Sequence, residues 1–182
     1  MQLKERIMRC LGSDVLAITE YQGDIVVEVG KNRIRTVMEK LKNDPDLSMD
    51  FLSDVLGVDN KALYEKAKKK AKKKDEAEAE EPKGPPPPRF EVVYLLLSLK
   101  SNERMMVKVR VPEDDLEVPT VTDLWKAATW PEREAYDMFG IRFKGHPDLR
   151  RLLMWDEFPA YPLRKDYPLE GQGEERILIY DA

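Results

Sequence analysis

Residues 130–168 leave the fold the least freedom, because prolines, aromatics and charges are set there too densely for ordinary secondary structure. Pro159, Pro162 and Pro168 each remove a backbone donor and push the preceding residue away from helix. Trp155, Phe158, Tyr161 and Tyr167 share that segment with Arg164, Lys165 and Asp166. An irregular segment cannot hide side chains this apolar within itself. They pack on the chain's own domain or on another protein, and Trp, Tyr and Arg are also the residues that dominate interfaces. Just upstream, Ala135, Met138 and Phe139 recur at helical spacing and predict a short helix with one buried stripe. Thr129 and Glu132 have the T-x-x-E spacing of a capping box, and Pro131 fits a first turn. Arg133 and Asp137 are expected on the open face, with Gly140 ending the helix in a left-handed conformation. Residues 141–143 then read as extended and Gly145-His146-Pro147-Asp148 as a turn.

The remaining chain supplies the framework. Leu3, Ile7 and Leu11 lie four apart, predicting a helix stopped at Gly12. Residues 15–20 and 25–29 are β-branched runs joined by Tyr21-Gln22-Gly23-Asp24, a hairpin pattern. Ile34, Val37, Met38 and Leu41 mark an amphipathic helix that ends before Pro45. Residues 48–56 suit a strand or a helix; strand is favoured, with Gly57 closing it. Residues 90–99 are apolar on both faces and predict a central strand. Met105, Val107, Val109 and Val111 alternate with Met106, Lys108 and Arg110 as a half-exposed strand, hairpinned to it through Ser101-Asn102-Glu103. Residues 112–119 read as an acidic loop, and Thr122 as the cap of a short helix carrying Leu124 and Trp125. The fold class expected is α+β: a mixed or mainly antiparallel sheet with helices packed against it, plus an extended C-terminal arm. Residues 1–58 and 90–154 form the two halves of one domain, residues 59–89 an insertion, and residues 155–182 the arm.

Much chemistry is excluded by what 182 residues lack. One Cys and one His cannot build an iron–sulfur cluster site or a multi-His metal or haem site from this chain alone. No dinucleotide fingerprint, Walker loop or nucleophile elbow occurs. Cys10 sits by the buried face of its helix without a neighbouring His to activate it, so core packing outweighs nucleophilic work. A single Cys also excludes an internal disulfide and fits a reducing cytoplasm. The longest nearly apolar run, 92–99, is far shorter than a membrane span, and the N-terminus has no apolar secretory core. Membrane association is therefore expected only through partners. Net charge is −4, and charged residues reach 36%, a composition that leans towards a thermophile.

The insertion pairs a basic block with an acidic one and closes on GPPPP. Its lysine run, 66–74, invites an RNA-binding adaptor reading, but the acidic neighbour competes and no aromatic is interleaved. A helix from about Lys61 that frays into a stiff proline spacer is the structural expectation. A stand-alone hydrolase would use His146 with Asp148 or Glu134 as orienter. The alternative has His146 as a turn residue, its ring hydrogen-bonded to hold the loop, and the missing nucleophile and metal favour that role. Glu132 and Glu134 are expected to pair with Arg133, Arg150 and Arg151.

Glu132-Arg133-Glu134, Asp137, Met138-Phe139, His146, Arg150 and Leu152-Leu153, followed by PLRKDYP, resemble the signature of the thirty-kilodalton (C-type) subunit family of respiratory complex I. The similarity covers roughly residues 90–170. The same family supplies a subunit to the membrane-bound nickel–iron hydrogenases and their sulfur-reducing relatives. The resemblance implies a scaffold subunit of the hydrophilic arm, with no catalytic, cofactor-binding or metal residue of its own. It further implies docking on the large catalytic subunit and the small iron–sulfur subunit, which would hold the iron–sulfur clusters and any nickel–iron centre or quinone site. Such a chain would lie peripherally on the cytoplasmic side of the membrane, would not be a free homo-oligomer and would bind no nucleic acid. The assembly surface it implies comprises Glu132, Arg133, Glu134, Asp137, His146, Asp148, Arg150, Arg151, Arg164, Lys165 and Asp166, joined by the aromatics Trp155, Phe158, Tyr161 and Tyr167. The unusual insertion leaves the complex type open, while composition and the short C-terminus lean towards the archaeal hydrogenase or sulfur-reductase type.

Overall fold

The computed structural model describes residues 2–65 and 88–174. Helix α1 (Leu3–Leu11) buries Ile7 and Leu11, and Gly12 ends it at φ 53°. Strands β1 (Val15–Tyr21) and β2 (Asp24–Val29) form the expected hairpin. Gln22 and Gly23 both have positive φ, the pairing that matches strand twist in a two-residue turn. Helix α2 (Ile34–Asn43) buries Ile34, Val37, Met38 and Leu41 completely. Strand β3 (Phe51–Asp59) resolves the ambiguous segment as strand.

Gly57 does not close β3; it lies inside the strand opposite Val92. A Cβ there would meet the Phe139 ring at 2.5 Å, so the glycine gives that ring room to approach.

Strands β4 (Phe90–Ser98) and β5 (Glu103–Val111) complete a sheet in the order β1-β2-β5-β4-β3. All neighbours are antiparallel except β2 and β5. The apolar strand β4 is thus interior, but β5 holds the middle. Phe90, Val92, Tyr94 and Leu96 alternate inward with Val107, Val109 and Val111 of β5, and join the buried faces of α1 and α2 in one core. Met106, Lys108 and Arg110 point the other way and stay half-exposed, as the alternation predicts.

The acidic stretch after β5 is not all loop. It ends in β6 (Glu117–Pro119), which pairs in parallel with β7 (Arg142–Lys144). Thr122 caps no helix: it is buried against Thr120, and only a 3-10 turn, Lys126–Ala128, precedes α3 (Thr129–Phe139). The result is an α+β fold with a mixed, mostly antiparallel sheet.

β3 and β4 are antiparallel neighbours, so the segment between them leaves and returns at one point. Asn60 N–H donates to Arg89 O at 2.8 Å, and Arg89 grips Asp59 through both carboxylate oxygens at 2.9 and 2.7 Å. Residues 61–65 are helical, as expected from Lys61 on. The lysine run 66–74 and the rest of the insertion to residue 87 lie outside the described residues, as does the end of the arm from residue 175.

Candidate assembly site

Helix α3 begins one residue earlier than a capping box at Thr129 allows. Thr129 is already helical and its hydroxyl donates to Lys126 O at 2.8 Å. Glu132 therefore does not reach back to a cap; it turns inward and is fully buried. Its Oε1 accepts Val121 N–H at 2.8 Å and its Oε2 accepts the Thr120 hydroxyl at 2.5 Å, tying the helix to the loop after β6. Burial raises its pKa, the two hydrogen bonds oppose this, Asp123 adds to the rise, and the carboxyl ends at about 7. The neighbouring phenol of Tyr94 is fully buried and pushed up by burial and by the charge of Glu132.

Arg133 and Asp137, expected on the open face, are both buried. Two charges four apart ordinarily face solvent, but each of these has a partner on the segment that follows β7. Arg133 donates to Arg150 O at 3.1 Å and Arg151 O at 2.8 Å, with its guanidinium 5.6 Å from the Trp130 ring centre. Asp137 Oδ2 accepts three successive backbone N–H groups, from Leu152, Leu153 and Met154, at 2.9, 2.7 and 2.9 Å. Its Oδ1 pairs with Arg151 Nη1 at 2.6 Å. Burial alone would raise this carboxyl; the Met154 N–H, Arg151 and the other two N–H groups outweigh it and hold the pKa below the ordinary value. A chain that cannot form a ladder thus finds its acceptor in one side chain.

Arg151 extends the lock into the arm, donating to Phe158 O at 2.5 Å and Ala160 O at 3.0 Å. Its guanidinium lies over the rings of Phe158 and Tyr161. Further along, Arg164 Nε donates to Phe139 O at 2.7 Å and Leu163 N–H to Met138 O at 3.2 Å, so the arm closes over the C-terminus of α3. Gly140, at φ 78°, ends that helix as expected; a Cβ there would meet Arg164 Nη2 at 2.6 Å. Lys165 N–H donates to Asp59 Oδ2 at 2.9 Å, and Asp166 pairs with Arg89 at 2.6 Å. Arg89 and Arg164 approach the Phe90 ring at 4.7 and 5.2 Å. Of the two places open to the arm, its own domain or another protein, its polar groups take the first, and Phe158 is buried within the chain.

Several sequence-derived pairs do not form. Glu134 is exposed and makes no ion pair with a described residue. Arg150 is exposed and reaches Asp148 at 3.0 Å, not a helix carboxylate. His146 takes the turn role: its Nδ1 accepts Asp148 N–H at 3.0 Å, which leaves Nε2–H to donate to Thr129 O at 3.0 Å. Both ring nitrogens are so engaged, and no nucleophile faces them among the described residues. Cys10 packs beside the core, and burial together with Asp44 pushes its thiol up to about 11. Sequence reasoning missed Asp59, Arg89, Thr120 and Val121 as parts of the site. The first two flank the insertion as an oppositely charged pair, a signal that could have been read.

Comparison with known proteins follows the same residues. Residues 27–173 match the family described as "Respiratory-chain NADH dehydrogenase, 30 Kd subunit". The chain belongs to that family. The C-type subunit of NADH-quinone oxidoreductase from Citrifermentans bemidjiense is 41% identical over 175 residues, covering 96% of this chain and 91% of that one. Its counterpart from Legionella pneumophila (strain Paris) is 40% identical, covering 99% of this chain and 81% of its own. Among solved structures, a trypsin-resistant fragment of Nqo5 matches with a TM-score of 0.62 at 34% identity, covering 82% of this chain and all of the fragment. A chain of an archaeal membrane-bound sulfane sulfur reductase shares the fold, with a TM-score of 0.66 at 22% identity over 92% of this chain and 84% of that one. This chain is therefore a peripheral-arm subunit of a complex I-like assembly, and the hydrolase and RNA-adaptor readings find no support. Among the described residues, no helix is long and apolar enough to cross a membrane. Nor do any three His, Cys, Asp or Glu side chains among them group to hold a metal ion.

Proposed function

We propose that this family member is a cofactor-free scaffold of the peripheral arm, docking on the large catalytic subunit and the small iron–sulfur subunit of a membrane-bound oxidoreductase, on the cytoplasmic side. One observation carries the reading. The charges of Arg133, Asp137 and Arg151 are spent inside the chain to fix a proline-rich arm, which leaves Leu153, Leu163 and Leu169 turned outward at 62%, 50% and 103% exposure. Apolar side chains held out on a rigid backbone lose little entropy on docking. Electron carriers would then reside in the partners. The named relatives at 40% identity and above are quinone oxidoreductase subunits, which favours that type over the hydrogenase or sulfur-reductase type to which composition leans.

Affinity purification of the tagged full chain from detergent-solubilised membranes tests this. The expected outcome is co-elution with a large subunit and an iron–sulfur subunit, while the chain purified alone is colourless. Elution of the chain by itself, or stoichiometric iron, nickel or flavin in the isolated chain, overturns the reading.

A further inference from the structure

Where the arm leaves its last buried anchor it encloses an open cleft of about 510 Å3. Trp155, Phe158 and Tyr167 line it together with Leu169, Glu170 and Glu174. The aromatics brace one another: the Trp155 and Phe158 rings meet edge to face at 4.8 Å, and Phe158 and Tyr167 lie 6.1 Å apart. Leu169 is wholly exposed beside them. A leucine standing in water next to an aromatic wall marks a surface that something covers.

The charge of the cleft says what kind of partner fits. Glu170 and Glu174 belong to its lining, no Lys or Arg does among the described residues, and Asp156 and Glu157 are exposed on the turn between Trp155 and Phe158. Glu174 is divided in its bonding. Oε2 accepts Gln172 N–H at 2.6 Å and the Tyr167 hydroxyl hydrogen-bonds the same carboxylate, whereas Oε1 has no hydrogen-bond partner among the described residues. Oε1 thus keeps its lone pairs open to a further donor. An anionic lipid surface is repelled by these acids.

We propose that the cleft is a socket for one segment of a neighbouring subunit, an apolar side chain seated against the aromatic wall with an adjacent Lys or Arg donating to Glu174 Oε1. The socket rests on the scaffold reading and names its partner's chemistry. The apolar anchor supplies affinity and the cation sets register, the usual division between a desolvated centre and a polar rim.

The test uses the intact complex carrying a benzophenone amino acid in place of Leu169, a fully exposed position. After irradiation, adducts map to one segment of a neighbouring subunit in which an apolar residue adjoins Lys or Arg. Glu174→Gln lowers the adduct yield about tenfold, the loss of one charge-assisted hydrogen bond, and Glu174→Lys lowers it further. Reversing the captured cation to Glu restores the yield of the Glu174→Lys complex. Four results overturn the socket: adducts confined to residues 175–182 of the same chain, adducts to a second copy of this chain, none at all, or a yield indifferent to Glu174→Lys. An assembled complex without adducts defeats the socket alone. A chain that purifies without partners defeats the scaffold reading with it.

Discussion

Helices α2 and α3 have nearly the same length, 10 and 11 residues, but α2 buries one side while α3 buries residues around most of its circumference. In α2 that side is Ile34, Val37, Met38 and Leu41, all apolar. In α3 the buried residues are Glu132, Arg133 and Asp137 as well as Ala135 and Met138. Apolar burial is non-directional and roughly proportional to area, so α2 is held on the sheet wherever its stripe fits. The α3 charges act at defined angles on defined atoms: Glu132 on the loop after β6, Arg133 and Asp137 on residues 150–154. An irregular loop has no ladder partner, and buried carboxylates and guanidinium groups supply one. The difference teaches that α2 builds the domain while α3 organises what is attached to it.

Substitutions can break this comparison. The largest effect is expected from Asp137→Ala, which strands Arg151 and three backbone donors; the cost is on the order of 4 kcal/mol, read from the urea midpoint. The arm should also become newly open to trypsin at Arg164 and Lys165. A shift below about 1 kcal/mol would mean the buried network contributes nothing that water cannot. Leu41→Ala in α2 should cost about 3 kcal/mol yet leave the arm as protected as before. If the arm loosens equally in both variants, the division of labour between the helices is wrong.

Acid–base behaviour sharpens the contrast. Glu132 has a folded pKa of about 7 against 4.5 when unperturbed, so the fold binds that proton more tightly than the unfolded chain does. The stability this proton confers is fully present below about pH 4.5 and is lost as the pH rises towards 7, by about 3 kcal/mol in all. Asp137 and Asp59, depressed, behave oppositely: their contribution stands above the ordinary carboxylate range and disappears as acid titrates through their lowered pKa. Glu132→Gln keeps an acceptor for Val121 N–H, so thermal melts between pH 5 and 8 should lose their downward slope. A variant as steep as the wild type would place the titration elsewhere. The smallest effect belongs to Glu134→Ala, which should stay within about 0.5 kcal/mol. A larger loss would show that this exposed carboxylate has a partner in the fold.

Much of the fold was legible because periodicity is local. The α2 stripe, the Gln22-Gly23 turn and the alternation of β5 each follow from a few neighbouring residues. The site was legible as a set of positions and misread as a set of orientations. Arg133 and Asp137 were recognised, but charges four apart on a short helix ordinarily mean solvent, and nothing nearby in sequence says that residues 150–154 return to meet them. Asp59 and Arg89 carry opposite charges at the two ends of the insertion, but it is the pairing of β3 with β4 that brings them together.

The sequence alone determined the class of the domain, most of its helices and its hairpins, and, through the spacing of its signature, the family. Those follow from composition and short-range pattern, which burial and backbone geometry read directly. Tertiary structure alone decided which charges are inside, that the arm is anchored on its own chain, and that Glu174 Oε1 has no partner among the described residues. A side chain's partner across 77 residues, as between Arg89 and Asp166, is set by where the sheet brings the chain back, and no local rule encodes that distance.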